Sequence, residues 1–355
     1  MMKKVIQTLG ATLVLSSAVT VFSPFSAVNA ETGRAIIEPS VQCSALSSID
    51  FSGVPDAPLH INSSRIVAAT DEFPGFCEVK GYVAPQVGFE LRLPLTDWEG
   101  RFLHQGCGGF CGRIYIQGCN DALARNYAVV ASNMGHKSSA FDGKWAEIDF
   151  GYRATHVTTV GAKAIIKAFY GTKPKYSYYR GCSTGGRQGM VSAQQFPEDF
   201  DGIIAGAPPM NEVEEAVFGL GWPVLVNMDE NGAPILTAKK LELLHGAVIA
   251  SCDKNDGILD GVIGDPSLCS FDVSPLKCAG RLNDKRLTTD QIGVIQKIYA
   301  GAEDRNGNKL VPGGPPLGSE VRWAGFVRND AGVPGHLERM VVDFLRYMAF
   351  SEDPG

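Results

Sequence analysis

The chain has 355 residues, a formal net charge of −6 and 45% apolar residues. That length can bury a sizeable core, as one large or two ordinary domains. The acidic balance and the lack of any basic run argue against nucleic acid as a partner.

Lys3 and Lys4 precede an apolar stretch from Leu9 to Phe22, and Ala27-Val28-Asn29-Ala30 follows as a small-residue cleavage pattern. This predicts a secretory signal peptide over residues 1–30, cut after Ala30. The apolar run is too short, and too interrupted by Ser16, Ser17 and Thr20, for a membrane anchor. All nine cysteines lie after it. In an exported chain they predict a disulfide framework, and an odd number leaves at least one unpaired.

Residues 31–98 read as β-rich. Phe89–Leu95 alternates apolar and polar, and Glu78–Val83 is a plausible neighbouring strand. Arg101–Gln105 begins a further strand, which ends in the glycine cluster Gly106–Gly112. Such a cluster can aim N–H groups into a cleft as part of an oxyanion hole; read alone, a tight loop stapled by a disulfide suits it equally. Leu123–Tyr127 ends a helix, Ala128–Ser132 reads as a buried strand, and Arg153–Tyr170 has helical apolar spacing closed by Gly171.

Tyr176–Met190 is the most informative stretch. An aromatic-rich strand runs into Gly181-Cys182-Ser183-Thr184-Gly185, and a helix over Arg187–Gln195 follows. This is the G-x-S-x-G pattern of a nucleophile elbow, with strand before and helix after. Ser183 is the predicted nucleophile. Its oxyanion donors would be the amide of Thr184 and that of Gly108 or Gly109. A buried strand at Gly202–Ala207 completes a β-α-β-α-β rhythm, which predicts a doubly wound parallel sheet.

After Pro209 the rhythm stops. Helices are expected at Lys239–Ala250, Thr289–Gly301 and Leu337–Phe350, so residues 31–210 read as a core and 211–355 as a lid-like domain. Within the latter, Cys252–Val262 carries three carboxylates in eight residues. That density of hard oxygen ligands suits Ca²⁺, and a solvated acidic turn suits it as well.

Together these stretches resemble the tannase and feruloyl esterase family. The matching segments are Gly106–Gly112, Met134-Gly135-His136, Arg153–Gly171, Tyr179–Gly189, Phe196–Pro209, Cys252–Pro266 and Leu345–Met348. The resemblance implies an α/β-hydrolase core with a large inserted lid, and a secreted serine esterase acting on small aromatic esters of feruloyl or galloyl type. It implies a structural Ca²⁺ held by Asp253, Asp256 and Asp260 and by the carbonyls of Ile258 and Val262. The bridges expected are Cys43–Cys77 and Cys252–Cys269, with a third among Cys107, Cys111 and Cys119.

The family places its catalytic aspartate and a His-Cys pair beyond the lid, the latter cysteine bridging to the one before the nucleophile. Neither His245 nor His336 is followed by cysteine. The triad Asp and His are therefore expected to be absent, the core's C-terminal strands missing and the chain truncated, with weak activity or none. His136 is expected to hydrogen-bond near the site, and Asp199 and Asp201 to be helix-end or turn residues rather than the triad acid. Trp323 reads slightly more as core than as a specificity residue. The alternative function is a non-catalytic exported remnant or calcium-stabilised binding module.

Overall fold

Strand pairing in the computed structural model, which describes residues 35–137, 143–279 and 285–350, gives one mixed sheet. The signal-peptide expectation (1–30) and the last five residues lie outside the described residues. Seven strands are found there: β1 (Leu59–Val67), β2 (Phe76–Val83), β3 (Val87–Pro94), β4 (Arg101–Gln105), β5 (Ala128–Ser132), β6 (Tyr176–Cys182) and β7 (Gly202–Gly206). Their spatial order is β1-β2-β3-β5-β4-β6-β7. β1, β2, β3 and β5 pair antiparallel in succession. β5, β4, β6 and β7 run parallel.

The parallel expectation thus holds for four strands, and the N-terminal strands make the sheet mixed. β1 escaped the sequence reading for a physical reason. Its register shifts between Ile61 and Ser63, and beyond Ile61 it buries no further residue, so no alternation marks it.

Helices α1 (Ala154–Tyr170) and α2 (Thr184–Gln195) are the crossovers into β6 and β7. α1 buries Val157, Ile165, Ile166 and Phe169 in the main apolar cluster, together with Val79, Leu91, Phe102 and Val130 of the sheet. Burying each such side chain contributes about 1.5–3 kcal/mol. Residues of the β4–β5 connection cover the opposite face: Ile116, Cys119 and Leu123 pack on Leu103, Val129 and Ala131. Chain order departs in opposite directions from β4, with β5 on one side and β6 and β7 on the other. The carboxyl ends of β4 and β6 therefore flank a switch point, where open α/β sheets form their clefts.

Beyond β7 come helices α3 (Leu241–Cys252), α4 (Thr289–Ala300) and α5 (His336–Tyr347). The described residues of this region carry isolated bridges rather than named strands. A capping box starts α4: Thr288 accepts from the Gln291 amide and the Gln291 side chain accepts from Thr288. A second apolar cluster joins Leu244, Val248, Ile295, Ile298 and Trp323. Trp323 is 1% exposed and donates to Ser319 Oγ at 3.1 Å. It is core. α5 spans both clusters, with Val341 in the second and Phe344 in the first.

The disulfides are Cys43–Cys77, Cys107–Cys111 and Cys252–Cys269. The pairing left open in the glycine loop is thus 107 with 111. Cys119 stays a buried thiol, which burial pushes up to about 12.

His104, on β4, is fully enclosed between the sheet and α1. Thr159 Oγ1 donates to the Thr155 carbonyl at 2.8 Å, so its lone pair must accept from His104 Nδ1, also 2.8 Å away. That bond fixes a proton on Nδ1, and burial disfavours adding a second, pushing the pKa down to about 3. Between that value and its ordinary one of about 6.5 the unfolded chain binds a proton that the native chain does not. Stability should fall as pH drops through this window, at up to about 1.4 kcal/mol per pH unit from this group. Urea melts from pH 7 to 4 should show the slope, and His104→Gln should flatten it.

Candidate active site

Ser183 adopts φ 58°, ψ −124°, a region that costs a non-glycine residue of order 1–3 kcal/mol. The strain follows from the turn. The Ser183 amide donates to the Gly206 carbonyl of β7 at 2.9 Å, and its own carbonyl accepts from Arg187 at 3.0 Å to start α2. The residue ends exposed at the carboxyl edge of β6. Only glycines permit this: a Cβ on Gly181 would stand 2.4 Å from the Gly185 carbonyl oxygen, and one on Gly185 2.8 Å from that of Cys107.

Gly185 thus packs the elbow directly on the glycine loop after β4. The Thr184 hydroxyl donates to the Gly109 carbonyl at 2.6 Å, and Gln188 Nε2 reaches Cys107 Sγ at 3.0 Å. The Tyr179 hydroxyl lies 2.8 Å from both the Gly185 carbonyl and Gln188 Oε1. The Thr184 amide is in the first turn of α2, where N–H groups have no helical acceptor. Thr184 thus joins the elbow to Gly109 of the loop, and Gly108 precedes it in the chain with open space around its Cα.

His136 supports the loop from its other side. It is 6% exposed, with Nε2 on the Phe110 carbonyl and Nδ1 3.1 Å from the Met134 carbonyl. Its hydrogen bonding near the site is as expected. Below it, Asp149 is wholly buried. Arg153 donates to its Oδ1 at 2.6 Å, while Oδ2 has no hydrogen-bond partner among the described residues. Burial raises this carboxyl, against the pull of Arg153 and His136.

Ser183 and Thr184 open on a cavity of about 240 Å³. Phe110 forms one wall, and Leu337, Met340 and Phe344 of α5 another. Two carboxylates, Glu212 and Glu215, also line it. Sequence reasoning missed them; they follow Pro208-Pro209 with no motif to mark them. Glu212 Oε2 stands 3.3 Å from Arg187 Nε, without hydrogen-bond geometry for either atom. Arg187 Nη1 and Nη2 donate to the Gly151 and Phe150 carbonyls, each at 3.0 Å. Burial raises the Glu212 carboxyl, Arg187 lowers it and Glu215 raises it.

None of the six histidines lines this cavity. His156 Nδ1 meets Asp199 Oδ2 at 2.8 Å behind α2, and the ring stacks on Phe196. His245 Nδ1 meets Glu320 in the second cluster at 2.8 Å. Asp201 accepts from the Ser177 amide at 2.7 Å, which ties it to the start of β6 rather than closing a turn of its own. Cys182, beside the nucleophile, is an exposed thiol.

The acidic loop is wound by Gly257 and Gly261 at φ 91° and 79°. Its carboxylates serve its own backbone. Asp253 accepts from Gly261 N at 3.0 Å, Asp260 from Val262 N at 3.0 Å, and Asp256 from Ile258 N and Gly264 N at 3.0 and 2.8 Å. Those amides hold the Asp256 carboxyl below its usual range. The donor types of Asp253, Asp256, Asp260, Ile258 and Val262 suit a hard cation. Among the described residues, however, no three acidic, histidine or cysteine side chains are gathered to hold one.

Comparison with known proteins agrees with this geometry. The model of the tannase and feruloyl esterase family matches residues 69–352. A probable feruloyl esterase B-2 of Aspergillus flavus is 36% identical over 256 residues, covering 70% of this chain and 49% of that protein. A mono(2-hydroxyethyl) terephthalate hydrolase of Piscinibacter sakaiensis is 30% identical over 323 residues, covering 77% of this chain and 51% of that protein. The crystal structure of feruloyl esterase B from Aspergillus oryzae superposes with a TM-score of 0.73 at 27% identity, over 88% of this chain and 66% of that one. The chain belongs to the tannase and feruloyl esterase family. It spans about half the length of the curated relatives it matches.

The elbow packing predicts a contrast between two glycines. Gly181→Ala should cost about 3 kcal/mol or more, since its methyl would meet the Gly185 backbone, which cannot swing aside as a side chain can, at 2.4–2.7 Å. Gly108 has nothing within 4 Å of a built Cβ, so Gly108→Ala should stay within about 1 kcal/mol. Denaturant midpoints of the two variants measure the difference.

Proposed function

We propose that this chain is the nucleophile-bearing part of an exported serine esterase that cleaves esters of small aromatic acids. The observation that carries the reading is the strained, exposed Ser183 at the carboxyl end of β6, opening on an apolar-walled cavity. Membership of the family supports it. In this reading Ser183 Oγ attacks the ester carbonyl carbon. The Thr184 amide, with that of Gly108 or Gly109, holds the negative oxygen of the tetrahedral intermediate. The C–O bond to the alcohol then breaks, the alcohol leaving with the proton that the serine gave up, and water later releases the acid and returns a proton to Ser183 Oγ. Residues 211–355 act as the lid, since α5 supplies a wall of the cavity. Export is supported by the three disulfides, and no described helix is long and apolar enough to cross a membrane.

One observation favours the second reading, a binding module without catalysis: no histidine lines the cavity to take the serine proton. Covalent labelling separates the two. An activated serine reacts with a fluorophosphonate, and an unactivated hydroxyl does not. Mass spectrometry should find the adduct on the Ser183 peptide and lose it in Ser183→Ala. A chain that binds aromatic esters yet takes no label would establish the binding module instead.

We also propose that Ca²⁺ gathers the 253–262 loop, replacing carboxylate–backbone bonds with carboxylate–metal ones and stabilising the region around it. The support is the all-oxygen donor set within a loop tied by Cys252–Cys269. At a hundredfold excess over Kd such an ion stabilises by about 2.7 kcal/mol. Thermal melts with Ca²⁺ and with chelator should differ by several degrees. Identical melts would leave a solvated acidic turn.

A further inference from the structure

His136 follows two successive left-handed residues, Met134 at φ 60° and Gly135 at φ 81°, which turn the chain after β5. Both of its ring nitrogens meet carbonyl oxygens: Nε2 that of Phe110, and Nδ1 that of Met134 at 3.1 Å. A carbonyl only accepts, and a neutral imidazole has one N–H and one bare lone pair. In a neutral ring one nitrogen would therefore aim a lone pair at an oxygen lone pair. Only a ring with a proton on each nitrogen donates to both.

Such a ring is a cation, and at 6% exposure it needs a counter-charge. Asp149 supplies one. Its side chain is wholly buried against the same turn, so close that a Cβ on Gly135 would stand 2.5 Å from Oδ2. Arg153 donates to Oδ1 at 2.6 Å, while Oδ2 has no hydrogen-bond partner among the described residues. Burial raises the Asp149 carboxyl, and Arg153 and His136 lower it. The Phe150 ring stands 5.9 Å from the imidazole, close to perpendicular. Arg187 packs over that ring, but its Nη1 and Nη2 are spent on the Gly151 and Phe150 carbonyls.

We propose that His136 is a positioning residue of the esterase reaction: protonated on both ring nitrogens and paired with the Asp149 carboxylate, it fixes the glycine loop at Phe110. The inference rests on the esterase reading above. The loop is then held at adjacent carbonyls by different segments, Gly109 by the Thr184 hydroxyl of the elbow and Phe110 by His136. The amides of Gly108 and Gly109 lie within or next to that pinned segment, and their aim decides whether they reach a negative oxygen. His136 does not line the cavity, so it acts through loop geometry, where a misplacement of about 1 Å costs about 100-fold.

Two readouts test this on the whole chain. In ¹⁵N NMR with ring-labelled histidine at pH 7, both His136 nitrogens should show the shifts of protonated nitrogen, the signals being assigned by their loss in His136→Gln. Asp149→Asn removes the counter-charge and nearly keeps the shape, and should move one of the two to the shift of a bare nitrogen. The second readout is the rate at which an alkyl fluorophosphonate labels Ser183, the Oγ–P bond forming as fluoride leaves and the serine proton passing to solvent. Both variants should lower the limiting rate by roughly 10–100-fold and leave the half-saturating probe concentration within about twofold, since the negative oxygen is held only in the transition state. Urea midpoints establish which variants are folded; if His136→Gln is not, the wild-type spectrum and Asp149→Asn decide. A bare ring nitrogen in the wild-type spectrum, or an unchanged limiting rate in a folded variant, overturns the inference and leaves the esterase reading standing. A wild-type chain that takes no label overturns the esterase reading and the positioning role with it.

Discussion

Contact between backbones stripped of side chains is the constraint on which this site depends. Gly181 and Gly185 touch across the elbow, Gly185 rests on the Cys107 carbonyl, and a Cβ on Gly186 would stand 2.2 Å from the Gly206 carbonyl oxygen. β6, α2, β7 and the loop after β4 therefore meet at one point with no side chain between them. The positive φ of Ser183 is the geometric consequence. Once β6 must turn into a helix packed this closely, its last residue has no ordinary conformation to occupy. The same contact sets the height of the glycine loop against the serine.

Side-chain bonds to main-chain oxygens then hold the loop in place. Thr184 grips Gly109, His136 grips Phe110, and Arg187 grips Phe150 and Gly151. Each tie joins segments distant in the chain. Hydrogen bonds of this kind net only about 1 kcal/mol apiece. Their larger effect is to leave the loop one arrangement in which its buried polar groups are satisfied. The Cys107–Cys111 bridge narrows the same loop covalently.

What was legible in the sequence was local. The elbow announces itself because strand, glycines and helix are contiguous, and the strands at Arg101–Gln105 and Ala128–Ser132 matched to the residue because the first is bounded by glycines and the second is a short apolar run. β1 was not legible, since its bulge breaks the alternation on which such a reading relies. Glu212 and Glu215 were not legible either. Their importance comes from α5, more than a hundred residues later, folding back to wall the cavity they line. Trp323 drew notice as a large aromatic, but its burial against Tyr299 and Phe326 is set by tertiary packing. The acidic loop shows the limit in the other direction. Its composition suggests a cation, while the turn hydrogen bonds that Asp253, Asp256 and Asp260 make with their own loop depend on conformation and leave no trace in spacing.

Where polar groups go unsatisfied also separates the two apolar clusters. Among the described residues, seven side-chain atoms are buried without hydrogen-bond partners, and the three charged side chains among them are Asp149 (Oδ2), Arg187 (Nε) and Glu212 (Oε2). All three belong to one patch, in which Arg187 reaches from the elbow helix to the 149–151 turn on one side and to Glu212 on the other. The buried carboxylate of the second cluster is treated differently. Glu320 accepts from Tyr299, from His245 and from the Gly318 amide, so its charge is fully engaged. An orphaned buried polar group costs about 1–3 kcal/mol, and folds tolerate such costs mainly where function requires them. The second cluster is therefore built for stability. The patch around Arg187 instead leaves polar atoms unengaged, and one of its members, Glu212, lines the cavity that Ser183 opens on.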